Sequence, residues 1–185
     1  TLAGSTLGSP DGVGTNAKFH NPWGIDVTPD GATVYVAEEV DRVRKIDVAS
    51  GTVTTLAGRY NAPGYADGVG TDAQFSAPRQ VALAGNMLLV ADTTNKRIRQ
   101  IDVSSRAVTT VAGTGAAGSA DGGSDVATFR APSGIAATSN GMLVLITDVY
   151  STSIHTIRQF LPSALYPFPP STPPLPSYPP STPPS

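Results

Sequence analysis

The sequence predicts an all-β protein of four-stranded antiparallel sheets, repeated three times and followed by an extended proline-rich tail. A Thr-(Leu/Val)-Ala-Gly element recurs at residues 1–4, 55–58 and 110–113. Each repeat contains short strand-like runs separated by turn residues, and proline dominates after residue 161. The spacing of 54 and then 55 residues indicates supersecondary units that bury their apolar faces against one another.

Every repeat carries the same landmarks in the same order. An Asp-Gly pair comes first, a phenylalanine follows eight residues after the aspartate, and a proline three residues later. These landmarks are Asp11, Asp67 and Asp121; Phe19, Phe75 and Phe129; and Pro22, Pro78 and Pro132. We therefore divide the repeat region, residues 1–160, into units of about 1–54, 55–109 and 110–160.

The second repeat shows its strands most clearly. Residues 80–83 form a short apolar run, and the turn signal Gly85-Asn86 separates it from the strongly apolar segment 87–91. Residues 97–103 alternate polar and apolar side chains, as a half-exposed strand does, and residues 107–112 form a fourth strand-like run. Four short strands joined by tight turns predict one antiparallel meander.

The other repeats follow the same pattern. The first predicts strands at 24–27, 33–37, 42–48 and 52–57, and the third at 134–137, 142–147 and 153–160. Four strands at this spacing are typical of a β-propeller blade, which takes about 40 residues. The surplus residues, for example 60–76, are predicted to form a long connection held by its aromatic residue.

The blades do not add up to a closed ring. Residues 1–4 match the end of a fourth strand without a blade, and the third repeat reaches Phe160 without a fourth strand. Three blades fall short of the usual number, about four to eight, so we predict an incomplete ring. Either the sequence is a fragment of a larger protein with more blades, or chains complete one another by strand addition. Strand addition would give a six-bladed ring of two chains, or a filament.

Composition narrows the possible partners. Only 14% of residues are charged and the net charge is −2, so no basic field attracts nucleic acid or an anionic membrane. The chain has no cysteine, which excludes disulfides and thiolate metal sites. No apolar run approaches membrane-spanning length. Without an initiator methionine or a signal peptide, we interpret the sequence as a mature or trimmed piece.

The repeats resemble a known family. Residues 22–27, 34–37 and 42–47 of the first repeat, and 89–92 and 95–99 of the second, are similar to the NHL repeat. The third repeat departs from it, because Ser-Ile-His-Thr-Ile replaces the basic Arg-Ile-Arg pattern. The resemblance covers about residues 1–160 and implies a propeller. NHL propellers include binding platforms, RNA readers and occasional lyases, so the resemblance implies little about function.

Carboxylates recur at two sets of positions. The Asp-Gly aspartates Asp11, Asp67 and Asp121 could bind calcium, but one carboxylate per loop is far fewer than calcium needs. We interpret them as turn residues that accept backbone N–H groups while glycine supplies a positive φ. Asp26, Asp92 and Asp148 could converge on a metal at the propeller axis. They are not at equivalent repeat positions, so we interpret them as strand-end residues.

Catalytic signals are absent from the sequence. His20 and His155 are the only histidines, at unrelated repeat positions, and lyases of the NHL type need several histidine ligands. No nucleophile triad, phosphate loop or zinc spacing is present. We therefore expect no enzyme activity and no cofactor. The alternative hypothesis is an NHL-type lyase or hydrolase.

Two stripes of basic residues could form an RNA-binding surface. They comprise Arg42, Arg44, Lys45, Lys96, Arg97 and Arg99. The competing interpretation is a solvated outer strand with Asp41, Asp47 and Asp102 nearby. Trp23, Tyr60 and Tyr65 are too scattered for a base-stacking platform, so we expect no nucleic-acid partner.

The tail gives the strongest functional clue. Residues 162–185 hold 11 of the 17 prolines, and Pro-Pro-Ser-Thr-Pro-Pro occurs twice, ten residues apart. Proline favours an extended polyproline II rod. The motif resembles hydroxyproline-rich, extensin-like wall glycoproteins of algae and plants, which implies proline hydroxylation and O-glycosylation. The alternatives are a plain linker or a ligand for a proline-binding domain. The candidate modified residues are Pro169, Pro170, Ser171, Thr172, Pro173, Pro174, Ser177, Pro179, Pro180, Ser181, Thr182, Pro183 and Pro184.

These observations favour a secreted structural glycoprotein, located at a cell wall or surface fibre. We expect its blades to associate with copies of itself by strand completion, forming oligomers or fibrils without inserting into a membrane. The predicted assembly edge comprises Thr1, Leu2, Ala3, Gly4, Ile154 and Ile157. The alternatives are an extracellular propeller module that binds peptide or glycan, or a fragment of a larger NHL protein.

Overall fold

The computed structural model describes residues 1–150 and 154–160 of the 185-residue chain. All of its sheets are antiparallel, as the sequence predicted. The proline-rich segment 161–185 lies outside the described residues. The model contains no helix with the length and apolar character needed to cross a membrane, among the residues it describes.

The first sheet has five strands. They are β1 (Gly12–Val13), β2 (Pro22–Val27), β3 (Thr33–Glu38), β4 (Arg42–Asp47) and β5 (Thr52–Gly58). The strand order is β1-β5-β4-β3-β2. The two-residue strand β1 comes from the connection before the blade and pairs with β5, so the predicted loop closes the outer edge of the meander.

The second sheet repeats this plan. Its strands are β6 (Gly68–Val69), β7 (Pro78–Ala84), β8 (Met87–Asp92), β9 (Arg97–Asp102) and β10 (Ala107–Ala112), in the order β6-β10-β9-β8-β7. The short strands β1 and β6 were not predicted, because two residues carry no detectable alternation.

The third sheet has three strands among the described residues. They are β11 (Pro132–Ala137), β12 (Val144–Tyr150) and β13 (Ile154–Phe160), in the order β11-β12-β13. The prediction that β12 starts at Met142 was wrong, because the preceding turn extends through Leu143, whose N–H and C=O both bond to Thr138.

The sheets stack face to face through apolar side chains. The first and second blades share a buried cluster that includes Tyr35, Val43, Val81 and Leu88. The second and third blades share an equivalent cluster. Each repeat therefore buries its apolar residues against its neighbour, as expected for units too small to form a separate core.

The innermost strands of the first two blades approach closely. A Cβ atom at Gly24 would lie 2.4 Å from the backbone oxygen of Arg79, so only glycine fits this crossing. Next to it, Asp26 accepts a hydrogen bond from the Leu83 N–H at 2.7 Å. Asp26 thus joins two blades, a role that the sequence did not reveal.

Candidate strand-completion site

The third blade has an unpaired edge. Strand β13 pairs with β12 on one side, and within residues 1–150 and 154–160 no strand pairs with its other side. In the first two blades that outer position is filled by β5 and β10. Ile154 begins β13, and Ile157 is 76% exposed. The sequence predicts that the third repeat lacks its outer strand, and the described residues contain none at this position.

Gly4 has the backbone conformation of the glycines that end the fourth strands. The φ angle of Gly4 is +94°, close to +82° at Gly58 and +102° at Gly113. A Cβ atom at Gly4 would meet the Phe19 ring, just as one at Gly58 would meet the Phe75 ring. The predicted edge residues thus lie where the outer strand of a preceding blade would end.

One contact distinguishes Gly4 from its equivalents. A Cβ atom at Gly58 or Gly113 would also lie 2.4 or 2.5 Å from a backbone oxygen, that of Asp41 or Lys96, at the start of the strand paired with it. At Gly4 the only atoms within 4 Å belong to Phe19. Gly4 donates its N–H to Gly14, and among the described residues no backbone bond joins residues 1–4 to β13. The described part of the chain therefore places no strand beside residues 1–4 at the position that β4 and β9 occupy next to β5 and β10.

In each blade, an arginine forms ion pairs with two carboxylates. In the second blade, fully buried Arg99 donates to Asp92 at 3.0 Å and to Asp67 at 2.7 Å. Arg99 also lies over the Phe75 ring, with its central carbon 5.3 Å from the ring centroid. Arg44 makes the same contacts with Glu38 and Asp11 in the first blade. Here Glu38 occupies the position of Asp92.

The Asp-Gly aspartates also hold the outer strand. Asp67 accepts the N–H and the hydroxyl of Thr110, at 3.3 and 3.1 Å. Asp11 accepts the same two donors from Thr55, at 2.9 and 3.1 Å. The prediction that these carboxylates accept backbone N–H groups is confirmed for Asp11 and Asp67. The glycine part was wrong for Gly12 and Gly68, because the positive φ angles fall at Gly14 and Gly70.

The third blade keeps the arginine, but no threonine among residues 1–150 and 154–160 takes the place of Thr55 or Thr110 beside Asp121. Arg158 donates to Asp121 at 2.6 Å and lies 3.6 Å from Asp148. Asp121 is 87% exposed, against 46% for Asp11 and 50% for Asp67. The repeat alignment places Thr1 at the position of Thr55 and Thr110. A fourth strand bearing such a threonine would complete the contacts of Asp121.

Asp26, Asp92 and Asp148, which the sequence offered as metal ligands, all accept hydrogen bonds from backbone N–H groups. Asp92 also accepts the Ser76 N–H, and Asp148 accepts the N–H groups of Arg130 and Ala131. Burial raises the pKa of Asp92 to about 6, against the opposing hydrogen bonds and the attraction of Arg99. No group of metal-ligating side chains occurs among the described residues.

The histidines lie apart. His20 is in a connecting segment. Its backbone N–H donates to the Glu38 carboxylate, and its ring Nδ1 is 3.0 Å from the Tyr60 hydroxyl. His155 pairs with Val149 in the third sheet. The two histidines therefore lie in different repeats, as their unrelated repeat positions in the sequence indicated.

The basic stripes are not a solvated outer strand. Arg42, Arg44 and Arg99 are buried, and the strands that carry them, β4 and β9, are the third of their blades. Burial in an ion pair outweighs the usual tendency of arginine to face water. These guanidinium groups are consequently unavailable to a phosphate backbone.

Two exposed aromatic side chains lie elsewhere, Trp23 on strand β2 and Tyr65 on a loop. Trp23 and Tyr65 are 52% and 64% exposed, and each lies beside an arginine, Arg79 or Arg97, with the guanidinium carbon 4.7 or 4.6 Å from the ring centroid. Tyr65 and Arg97 line an open groove of about 490 Å³. The prediction that these aromatic residues are scattered fits their separate blades.

Comparisons with known proteins support the NHL-repeat fold. NHL repeat-containing protein 2 of Gallus gallus is 31% identical over 154 residues, which cover 77% of this chain and 21% of that protein. Protein SUPPRESSOR OF QUENCHING 1, chloroplastic, of Arabidopsis thaliana is 37% identical over 99 residues, or 52% of this chain and 9% of that protein. No family model matches the chain.

The fold has counterparts among solved structures. An auxiliary nutrient binding protein of Bacteroides thetaiotaomicron VPI-5482 aligns with a TM-score of 0.64 and 26% identity, over 77% of this chain and 37% of that one. The chain spans only 9 to 21% of the length of its curated relatives. The all-β, propeller-like fold class is confirmed, and the hydroxyproline-type tail remains a prediction.

Proposed function

We propose that this chain is a non-catalytic propeller binding module that associates with copies of itself by strand completion. Its NHL-repeat relatives and the nutrient-binding neighbour support the general class of binding module. The finer assignment depends on a pair of observations made among the described residues. Gly4 has the φ angle of a residue that ends an outer strand but no strand beside it, and β13 has a free edge.

The repeats specify how the two edges would pair. In the first blade Ala57 pairs with Val43, and in the second Ala112 pairs with Ile98. The equivalent pair is Ala3 with Ile157. Thr1 would then face Arg158, as Thr55 faces Arg44, and its hydroxyl would lie near Asp121. Backbone hydrogen bonds supply affinity in such strand addition, and side chains fix the register.

The remaining parts of the proposal concern the tail and the location. The repeated Pro-Pro-Ser-Thr-Pro-Pro motif supports a hydroxylated, O-glycosylated rod on a secreted wall or surface-fibre protein. Intact-mass measurement on material from the natural source tests this. Pentose or hexose additions together with steps of about 16 Da are the expected result. An unmodified mass would contradict the glycoprotein assignment while leaving strand completion standing.

Replacing Leu2 with proline and Ala3 with aspartate tests strand completion. Proline removes a ladder hydrogen bond, and Leu2 is 44% exposed, so the blades themselves should remain folded. We expect wild-type chains to sediment as oligomers or fibres and the double variant as a monomer. Met142→Asp is the control, because Met142 is exposed on a turn away from both edges. Assembly that survives the double substitution would contradict the proposal.

A second candidate, a peptide- or glycan-binding loop face, is favoured by the groove beside Tyr65 and Arg97. A glycan-array screen of the wild type against Tyr65→Ala tests it. Binding that the substitution abolishes would support this candidate, whereas an absence of binding, or binding that Tyr65→Ala does not change, would argue against the groove.

A further inference from the structure

Equivalent faces of the first two blades differ in exposure. The front face of a blade is defined here as the face packed on the preceding blade. In the second blade it includes Val81, which is 1% exposed. In the first blade the equivalent residue is Ile25, which is 61% exposed, and its neighbour Val27 is 48% exposed. The connection before the blade covers the rest of this face with Ala17 and Phe19.

The opposite face of the third blade is open as well. The back face of a blade is the face packed on the following blade. Val43 and Ile98 lie on the back faces of the first and second blades, and both are 0% exposed. Their equivalent in the third blade, Ile157, is 76% exposed, and Leu145 on the central strand β12 is 40% exposed.

The chain itself shows how these two faces fit. Twice in succession an aliphatic back face packs on an aliphatic front face: Val43 belongs to one cluster with Val81, and Ile98 to another with Ile135. Leu145 and Ile157 occupy the back-face positions, and Ile25 and Val27 the front-face positions, of the same type of junction. All four side chains are uncharged, so the contact requires no desolvation of charge.

We propose that the front face of the first blade receives the back face of the third blade from a second copy of this chain, and reciprocally. The inference rests on the proposed strand completion and specifies its partner and stoichiometry. The same two surfaces meet twice in a two-fold pair, which closes a ring of six blades. Six lies within the range of about four to eight blades known for closed propellers, and closure removes both open faces.

Face variants that leave the strand edges intact test the inference. Ile25→Asp lies on β2, and Leu145→Asp lies on the central strand β12, so neither alters the edge of β13. Met142→Asp is the matched control, because Met142 is 51% exposed and lies on a turn. Sedimentation equilibrium of the full chain gives the mass, and circular dichroism shows whether each variant is folded.

We expect the unmodified wild-type chain to sediment at about 38 kDa, twice the chain mass of 18.9 kDa. Each face variant should remain folded and dimerise at least tenfold more weakly, and the control should match the wild type. A mixture of Ile25→Asp and Leu145→Asp chains should recover a one-to-one pair, because one junction of that pair has both wild-type faces.

Other outcomes would overturn this inference in distinguishable ways. A folded Ile25→Asp chain that still forms dimers, while the Leu2→Pro/Ala3→Asp variant does not, would refute face docking and leave strand completion intact. A mass that keeps rising with concentration beyond that of two chains would indicate a filament and refute the closed pair. A mixture that fails to recover pairing would refute the head-to-tail arrangement. A wild-type chain that stays monomeric at high concentration would refute both proposals.

Discussion

In both the second and the third blade, an arginine pairs with two carboxylates, but the exposure of these groups differs. Arg99 is 0% exposed and is covered by a complete sheet with its outer strand β10. Arg158 is 9% exposed, and its partner Asp121 is 87% exposed. Each repeat therefore specifies its own arginine–carboxylate ion pairs. The burial of these groups depends on an outer strand that the described third blade lacks.

The largest expected difference comes from removing each arginine. Arg99→Leu leaves Asp92 buried without its charge partner, which costs about 3–5 kcal/mol in the free energy of unfolding. Arg158→Leu also leaves a buried carboxylate, that of Asp148, without its arginine. Asp148 lies 3.6 Å from Arg158 and keeps the N–H groups of Arg130 and Ala131, so we expect a smaller cost of about 1–2 kcal/mol. Urea unfolding of the two variants measures both values. Equal losses would contradict the difference in burial.

The pH dependence of stability sharpens the same comparison. Burial raises the pKa of Asp92 to about 6 from an ordinary value of 3.8. The folded state therefore binds this proton more tightly than the unfolded state, so the contribution of Asp92 to stability decreases as pH rises from about 4 to about 6.

At about 1.4 kcal/mol per pKa unit, the loss from Asp92 is at most about 3 kcal/mol. Thermal or urea unfolding at several pH values should show it as a negative slope. Asp92→Asn should remove that slope. An unchanged pH profile in Asp92→Asn would show that Asp92 is not the titrating group.

The strands of the blades could be predicted from the sequence, but their buried arginines could not. Strand positions followed from alternation and turn residues, because those patterns reflect local backbone geometry. The burial of Arg44 and Arg99 did not follow, because arginine usually faces solvent. A signal was present: the Asp-Gly aspartates and these arginines recur in register, as Asp11 with Arg44 and Asp67 with Arg99.

The assembly edge was predicted more fully than the faces. Residues 1–4 were recognisable because their sequence repeats at 55–58 and 110–113. The exposure of Ile25 and Val27 was not predicted. An apolar residue on a strand has the same sequence signature whether or not another sheet covers it, so of the residues on the two open faces the sequence named only Ile157.

A smaller expected difference separates the glycines that end the outer strands. Gly58→Ala places a Cβ atom 2.4 Å from the Asp41 backbone oxygen at a φ of +82°, and we expect a loss of about 2–3 kcal/mol. Gly4→Ala meets only the Phe19 ring in the single chain and should cost about 1 kcal/mol. Thermal unfolding of the monomer distinguishes them. Equal losses would contradict the absence of a neighbouring strand at Gly4.

Engineered cysteines test the central claim most directly, because the chain has no cysteine of its own. Cross-strand neighbours have Cβ atoms about 5 Å apart, close enough for a disulfide after a small adjustment. The pair Ala3→Cys with Ile157→Cys follows the register of Ala57 with Val43. In the control pair, Ala3→Cys with Thr156→Cys, the side chain at residue 156 points to the opposite face of β13 from that of Ile157.

We expect mild oxidation of the first double variant to give a covalent species of twice the chain mass on non-reducing gels, and the control to remain unlinked. A disulfide within a single chain, or equal linking of both pairs, would contradict strand completion between chains.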